Sequence, residues 1–230
     1  MRLLLGTLFV VSCLSLLCWT PPVITEAEGA DARAGASVAV MPKQCRAGKT
    51  SPEALGWRWK HGTQVKVYYL KGNFSAAEAG ALSRAVANWN EVLRETDSRV
   101  AFVVVGERDA VVRDGAGVYV ARGVPSSRER VGEIKLHSAS GGAVRFLLTI
   151  SPAITDESAL TSLMTHELGH SLGLADCYEC QSGTTAMAAF RSMKKGNEVY
   201  EPSACDKYVV AAGYSGRTVD QTRVASLGQK

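Results

Sequence analysis

Apolar residues alternate with polar ones along one stretch of the chain and form short apolar runs farther on. Val65, Val67 and Tyr69 alternate with their neighbours as the residues of a half-buried strand do. Four later runs, each bounded by glycine or charged turn residues, have the length and composition of strands: residues 100–105, 117–121, 133–137 and 144–150. The last run is the most apolar and is expected near the centre of the sheet. The chain therefore predicts a sheet of about five strands.

Three segments have the period of helices. The first opens on a capping box, Ser75 with Glu78, and its apolar residues recur on one face until about Arg94. The second starts at the capping and acidic residues 155–157 and ends at Gly173, and the third covers about residues 202–212. This order of elements predicts an α+β fold: a twisted mixed sheet, a long backing helix, a second helix against it and a small C-terminal subdomain.

The first 60 residues carry little of this periodicity. Arg2 is followed by an apolar run as far as Thr20, which is the pattern of a secretory signal. The segment after it is rich in Ala, Gly, Pro and charged residues, as processed or poorly ordered segments are. We therefore predict a signal peptide and processed leader at 1–32, a partly disordered N-terminal extension at 33–60, one folded domain at 61–215 and a polar tail at 216–230.

Charge and the flanks of the apolar run limit where the protein acts. The run is just long enough to consider a membrane anchor, but no basic flank follows it, which favours cleavage and export. The net charge of the 230 residues is +4, and the basic residues are scattered rather than grouped with aromatic ones. Such a surface is typical of a solvated protein and not of a nucleic-acid site. We expect a secreted or periplasmic protein without a stable membrane anchor or a nucleic-acid partner.

Two of the six cysteines lie in the predicted signal, which leaves Cys45, Cys177, Cys180 and Cys205. An even number of cysteines in an exported chain predicts disulfides. The sequence allows three pairings and favours Cys45 with Cys205 and Cys177 with Cys180. The alternative for the second pair is a redox or metal-binding CxxC motif, which no second CxxC supports.

The stretch THELGHSLGLADC contains side chains at the spacing of a metal site. His166 and His170 lie four residues apart, so on a helix their imidazoles project from one face toward the same ion. Glu167 can then reach a water at the metal without binding the metal itself. Gly173 permits a sharp turn, since glycine adopts the left-handed conformation without steric cost, and the turn returns Asp176 to the ion. Three ligands with an open fourth position indicate catalysis, whereas surface histidines on an amphipathic helix are the alternative explanation.

The pattern HExxHxxGxxD, from His166 to Asp176, resembles the metzincin clan of zinc endopeptidases, in its snapalysin-like and matrixin-like branch. The resemblance implies a zincin-like fold with Zn²⁺ as cofactor. The clan has a methionine-bearing turn beneath the metal, and the resemblance implies that Met187, in the segment TTAMA, occupies that turn, with Met193 as the alternative.

The chain departs from the clan at two positions. Asp176 replaces the commoner third histidine, which makes the metal site harder. Ala189 stands where some members have a tyrosine, so stabilisation of the transition state falls to zinc or to another group such as Tyr178 or Tyr200. Cys45 lies in a segment faintly similar to the thiol segment that keeps matrixin precursors latent, although its pairing in a disulfide is the favoured interpretation.

The resemblance implies a secreted zinc-dependent endopeptidase, a monomer, in which Glu167 is the general base. Its partner is an extended peptide or protein substrate that pairs with an edge strand, in one of the runs at 117–121 and 133–137. The alternative is a non-catalytic secreted binding or adhesion domain with a structural zinc. Retention of Glu167 disfavours that alternative, since a structural site needs no water-activating carboxylate.

Overall fold

The computed structural model describes residues 42–72, 74–111, 115–127, 129–138, 144–189 and 199–214. The predicted signal and leader at 1–32, residues 33–41 of the predicted extension and the predicted tail at 216–230 lie outside these ranges. Within them, no helix has both the length and the apolar composition needed to cross a membrane.

The described residues form five strands and three helices. In chain order they are β1 (Gln64–Leu70), α1 (Ala76–Arg94), β2 (Ala101–Arg108), β3 (Gly117–Arg122), β4 (Gly132–Ser138), β5 (Val144–Ile150), α2 (Glu157–Ser171) and α3 (Ala204–Tyr214). Each strand and helix expected from the periodicity is present, and the predicted α+β fold with a mixed five-stranded sheet is confirmed.

The strands form one sheet in the order β2-β1-β3-β5-β4. β1 is parallel to β2 and to β3, β3 is parallel to β5, and β4 alone runs antiparallel to its neighbour β5. The central strand is therefore β3, and β5, which was expected near the centre, lies one strand in from the edge. β4 forms that edge.

Helix α1 begins as its sequence predicts. Ser75 accepts from the backbone N–H of Glu78 at 3.3 Å, and the Glu78 carboxylate accepts from the Ser75 N–H at 2.5 Å, which completes the capping box. One face of the helix is buried, through Ala81, Leu82, Ala85, Val86, Trp89, Val92 and Leu93. Each large side chain on this face stabilises the fold by about 1.5–3 kcal/mol.

Helix α2 is buried on almost every side, from Leu160 through Gly169. Asp156 caps its start by accepting from the Ala159 N–H at 2.9 Å. Trp89 of α1 donates its indole N–H to the Thr165 carbonyl at 2.7 Å, so the two helices are joined by a hydrogen bond as well as by packing. A polar motif is thereby held inside the molecule.

The segment before β1 packs against the sheet and against the turn after α2. Leu55 donates its N–H to the Gly173 carbonyl at 2.6 Å, and the Trp57 ring packs against Phe146 of β5 in a tilted arrangement with ring centroids 4.9 Å apart. Trp59, also buried, contacts Phe146 as well. The described part of the predicted extension is therefore packed onto the core.

Two disulfides are present, Cys45–Cys205 and Cys177–Cys180, in the pairing that the sequence favoured. The first joins the N-terminal segment to the start of α3. The second closes a short loop directly after Asp176. Because Cys45 is bonded to Cys205, its thiol is not available to a metal in this structure.

Candidate metal centre

Three side chains from α2 and the loop after it converge on one point. His166 Nε2 lies 3.1 Å from Asp176 Oδ1, and His170 Nε2 lies 3.5 Å from the same oxygen. The three potential ligand atoms all lie within 4.8 Å of one another. Among the described residues, these three side chains form the group that could bind one metal ion together. The three ligands predicted from the sequence are thus neighbours in space.

Backbone carbonyls orient the two imidazoles. His166 Nδ1 lies 2.8 Å from the Ala186 carbonyl, and His170 Nδ1 lies 2.8 Å from the Leu174 carbonyl. A carbonyl can only accept, so in each ring Nδ1 carries the proton when the ring is neutral and Nε2 keeps its lone pair. Both lone pairs then face Asp176, as a metal site requires.

The protonation of the cluster reflects its electrostatics. Burial opposes the ionisation of Asp176, but hydrogen bonds from the two imidazoles outweigh it and hold the pKa of Asp176 far below its usual range. Burial likewise disfavours the charged form of His170, but its hydrogen bond to Asp176 and nearby negative charge raise the pKa of His170 overall. Asp176 is therefore ionised and available as an anionic ligand.

The donor set fits zinc. Ligand atoms about 2.0–2.2 Å from a tetrahedral zinc ion lie about 3.3–3.6 Å from one another. The two nitrogen-to-oxygen separations, 3.1 and 3.5 Å, are close to that spacing. Two neutral imidazoles and one carboxylate are a common zinc ligand set, and the hydrogen-bonded Nδ1 atoms supply the outer support that such sites have.

The turn after α2 depends on Gly173, which has φ = +90°. A side chain at this position would be strained by the backbone and would also place a Cβ 2.3 Å from the Trp57 carbonyl oxygen. The chain reverses at this glycine and returns Asp176 toward the imidazoles. Gly173 has the conformation that the sequence predicted.

Met187 lies against α2 on the side of the two histidines. A Cβ built at Gly169 would be 2.4 Å from Met187 Sδ and 2.9 Å from Trp89, so the thioether occupies space that this glycine leaves free. Met187 is fully buried, and its carbonyl accepts from the Cys177 N–H at 2.7 Å. The alternative candidate, Met193, lies outside the described residues.

Asp206 of α3 is a supporting residue that the sequence did not reveal. It is fully buried and accepts from the Ala186 N–H at 2.9 Å, from the Ser203 N–H at 2.8 Å and from the Thr185 hydroxyl. It therefore fixes the segment whose Ala186 carbonyl orients His166. The spacing of Ser203 and Asp206 in the sequence signals a helix start, but it carries no information about this contact.

Glu167 points into the space beside the ligand cluster, where its side chain is almost fully buried. A Cβ built at Gly132, the first residue of β4, would lie 2.5 Å from Glu167 Oε1. Burial raises the pKa of Glu167, although the charges of His166 and His170 act in the opposite direction. A carboxylate with a raised pKa is a better proton acceptor near neutral pH.

A cavity of about 680 Å³ opens in front of these residues. Its walls come from α2, from β4, from the loop that carries Asp176 and from the N-terminal segment, including Leu55 and Trp57. Of the two runs considered for substrate pairing, β3 is bonded on both sides, whereas in the described sheet β4 is bonded to β5 only. The free edge beside the cavity therefore belongs to β4.

The two tyrosines considered as stabilising groups lie in different places. Tyr178 lines the cavity and donates its hydroxyl to Asp176 Oδ2 at 3.1 Å, which leaves Oδ1 directed at the imidazoles. The negative charge of Asp176 raises the pKa of Tyr178, so the hydroxyl stays protonated and remains a donor. The cavity lining does not include Tyr200, whose carbonyl accepts from the Thr165 hydroxyl at 3.2 Å.

No protein-family model matches the sequence, and no curated protein matches it. Among solved structures, two of myroilysin are similar to this chain. One has 13% sequence identity and a TM-score of 0.42, and the match covers 77% of this chain and 90% of that chain. The other has 12% sequence identity and a TM-score of 0.40, and the match covers 74% of this chain and 94% of that chain. An archaemetzincin from Methanopyrus kandleri has 14% identity and a TM-score of 0.38, covering 65% of this chain and 95% of that chain. None of the three is named a snapalysin or a matrixin, so that finer placement stays a prediction. The TM-scores of these three structures are all below 0.5.

Proposed function

We propose that the protein is an exported zinc-dependent endopeptidase. The observation that supports this most directly is the convergence of His166, His170 and Asp176 beside a buried Glu167 at the base of an open cavity. A structural zinc site needs ligands but no carboxylate directed into the cavity next to them. The two disulfides are compatible with a location outside the cytoplasm.

His166, His170 and Asp176 would hold the ion. When bound, zinc supplies Lewis acidity, which polarises a carbonyl group and makes water more acidic. Glu167 accepts a proton from the attacking water as the carbon–oxygen bond forms. It then donates that proton to the nitrogen of the departing amine as the carbon–nitrogen bond breaks, so one carboxyl group serves both halves of the hydrolysis.

An extended peptide would bind along the free edge of β4. Backbone hydrogen bonds to an edge strand hold a peptide irrespective of its sequence, which suits an endopeptidase. Gly132 at the start of this strand lies next to Glu167, so the peptide bond closest to Gly132 is the one presented to the base.

The proposal is tested with the purified exported protein and an unfolded protein as substrate. Zinc content is measured by atomic spectroscopy, and cleavage is measured with and without a chelator. The wild type is expected to bind one zinc per chain and to lose cleavage when the chelator is present. Glu167→Gln is expected to retain zinc and to lose turnover by about 10²–10⁴-fold, the usual contribution of a general base.

Glu179→Gln is the matched control, because Glu179 is an exposed glutamate three residues after Asp176. It is expected to cleave as the wild type does. Zinc binding without cleavage by the wild type would favour the alternative of a binding domain with a structural metal. Equal turnover by wild type and Glu167→Gln would exclude Glu167 as the base.

A further inference from the structure

The first residue of β4 marks where a peptide bond would be cut. Gly132 lies against the Glu167 carboxylate, which occupies the space that a side chain at this position would need. Positions 134 and 136 follow on the same face of the strand, since successive side chains alternate between the two faces. They lie about 7–13 Å farther along β4, at about 3.3 Å per residue.

Several large apolar side chains line the cavity. Ile134 and Leu136 of β4 line it together with Phe146 of β5, and the N-terminal segment adds Leu55 and Trp57. We call these five residues the apolar subsite. The Trp57 and Phe146 rings are in contact in a tilted arrangement, with centroids 4.9 Å apart and 36° between their planes.

The exposure of this region is unusual for the molecule. Seven large apolar or aromatic side chains are exposed in the described residues, and three of them, Leu55, Leu136 and Tyr178, line this one cavity. Leu136 is 54% exposed and Leu55 is 46% exposed. Grouped exposure of this kind, in a concave place continuous with a reactive site, indicates a surface that a ligand covers.

We propose that the apolar subsite binds a large apolar side chain of the substrate, two to four residues from the scissile bond. This inference rests on the proposed peptidase function and adds a substrate preference to it. An extended peptide on β4, with its scissile bond next to Gly132, brings a side chain two to four residues away over Ile134 and Leu136. Phenylalanine or leucine at this position of the substrate covers the exposed Leu55 and Leu136. Glycine leaves these two side chains exposed, and aspartate places a charge against them.

The preference is measured with a set of fluorogenic peptides that share one scissile bond. Phenylalanine, glycine or aspartate is placed in turn at each position up to four residues away on either side of that bond. The expected result is a ratio of kcat/KM between phenylalanine and glycine peptides of about 10–100 at a position two to four residues away on one side. Aspartate is expected to be no better than glycine.

Variants locate this preference on the protein. Leu136→Ser and Leu55→Ser are each expected to reduce the phenylalanine-to-glycine ratio at least about threefold, with the thermal midpoint measured to verify folding. Val105→Ser is the matched control, since Val105 is 49% exposed on β2 at the opposite edge of the sheet. It is expected to leave the ratio unchanged.

A binding measurement separates the subsite from the catalytic proposal. The Glu167→Gln protein is titrated calorimetrically with the phenylalanine and glycine peptides, and the phenylalanine peptide is expected to bind about 10-fold more tightly or better. Cleavage of unfolded protein without any apolar preference, or a preference that survives both Leu→Ser variants, would overturn the subsite and leave the peptidase. Selective binding that depends on Leu136, in a protein that cleaves nothing, would support the subsite and overturn the peptidase.

Discussion

Two glycines next to the candidate site matter because a side chain there would meet a neighbouring side chain, and not because of their backbone conformation. Neither Gly132 nor Gly169 has a positive φ, so alanine could adopt either backbone. Their Cβ atoms would nevertheless meet Glu167 Oε1 at 2.5 Å and Met187 Sδ at 2.4 Å, respectively. The site is therefore sensitive to the addition of a single methyl group at these two positions.

The first prediction concerns Gly132→Ala. The added methyl group displaces the Glu167 carboxylate, and a misplacement of about 1 Å costs up to about 100-fold in rate, so kcat/KM is expected to fall about 10–100-fold. Zinc content is expected to stay at one per chain, because the ligands are not touched. Gly80→Ala in α1 is the control, since its Cβ would make only an ordinary contact with Arg84. Full activity of Gly132→Ala would show that the base does not work from its position in this structure.

The parts of the site that the sequence predicts are those held by local geometry. His166, Glu167 and His170 share one helix, so helical spacing places them, and the turn at Gly173 brings Asp176 back a few residues later. Asp206 and Gly132 reach the same place from other parts of the chain. Their contacts arise from long-range packing, which a residue pattern does not encode.

At the scale of whole elements, one ion pair joins α1 to β3. Glu78 in the first turn of α1 pairs with Arg122 at the end of β3, with 2.7 Å between Oε1 and Nη2 and both side chains largely buried. Arg122 also donates to the carbonyls of Ser151 and Ile154, ahead of α2, at 2.8 and 2.5 Å. One guanidinium group thus links the start of α1 and the end of β3 to the segment that precedes α2.

The second prediction is a pH-dependent cost of Glu78→Gln. Burial opposes the ionisation of Glu78, but hydrogen bonds from Ser75 and the charge of Arg122 outweigh it and lower the pKa of Glu78 in the folded protein. A lowered pKa contributes stability that is present above the unfolded value of about 4.3 and is lost as the pH falls through the folded value. The variant is expected to unfold with a free energy about 1–3 kcal/mol smaller near neutral pH.

Urea unfolding of both proteins at several pH values measures this difference, which should shrink below about pH 4 as the wild-type carboxylate is protonated. Glu91→Gln is the control on the same helix, because Glu91 is exposed. It should change the free energy of unfolding by less than about 0.5 kcal/mol. A difference between Glu78→Gln and wild type that is independent of pH would contradict an electrostatic cause.

Elements were predicted better than their arrangement. Alternation and capping are local, and they indicated all five strands and the start of α1. The order of strands depends on which apolar faces meet in three dimensions. The run at 144–150 was expected near the centre, and it forms β5, an interior strand between the central strand β3 and the edge strand β4.

At the scale of the molecule, the two disulfides have different consequences. Cys45 and Cys205 are separated by 160 residues and enclose the whole sheet, whereas Cys177 and Cys180 are separated by only three. In the chain-entropy description, loops of these lengths stabilise by about 5 and about 2 kcal/mol. The short loop begins directly after Asp176, so its main effect is expected on the position of that carboxylate.

The third prediction separates these effects with two double variants. Cys45→Ser with Cys205→Ser is expected to lower the free energy of unfolding of the metal-free protein by about 2–5 kcal/mol, measured in denaturant with a chelator present because zinc itself stabilises the folded state. Cys177→Ser with Cys180→Ser is expected to cost less than half as much stability but to weaken zinc binding about 10–100-fold, measured by competition with a chromophoric chelator. The metal-free measurement keeps a loss of zinc from being counted as a loss of stability. Unchanged zinc affinity in the second variant would mean that the loop after α2 holds Asp176 without its disulfide.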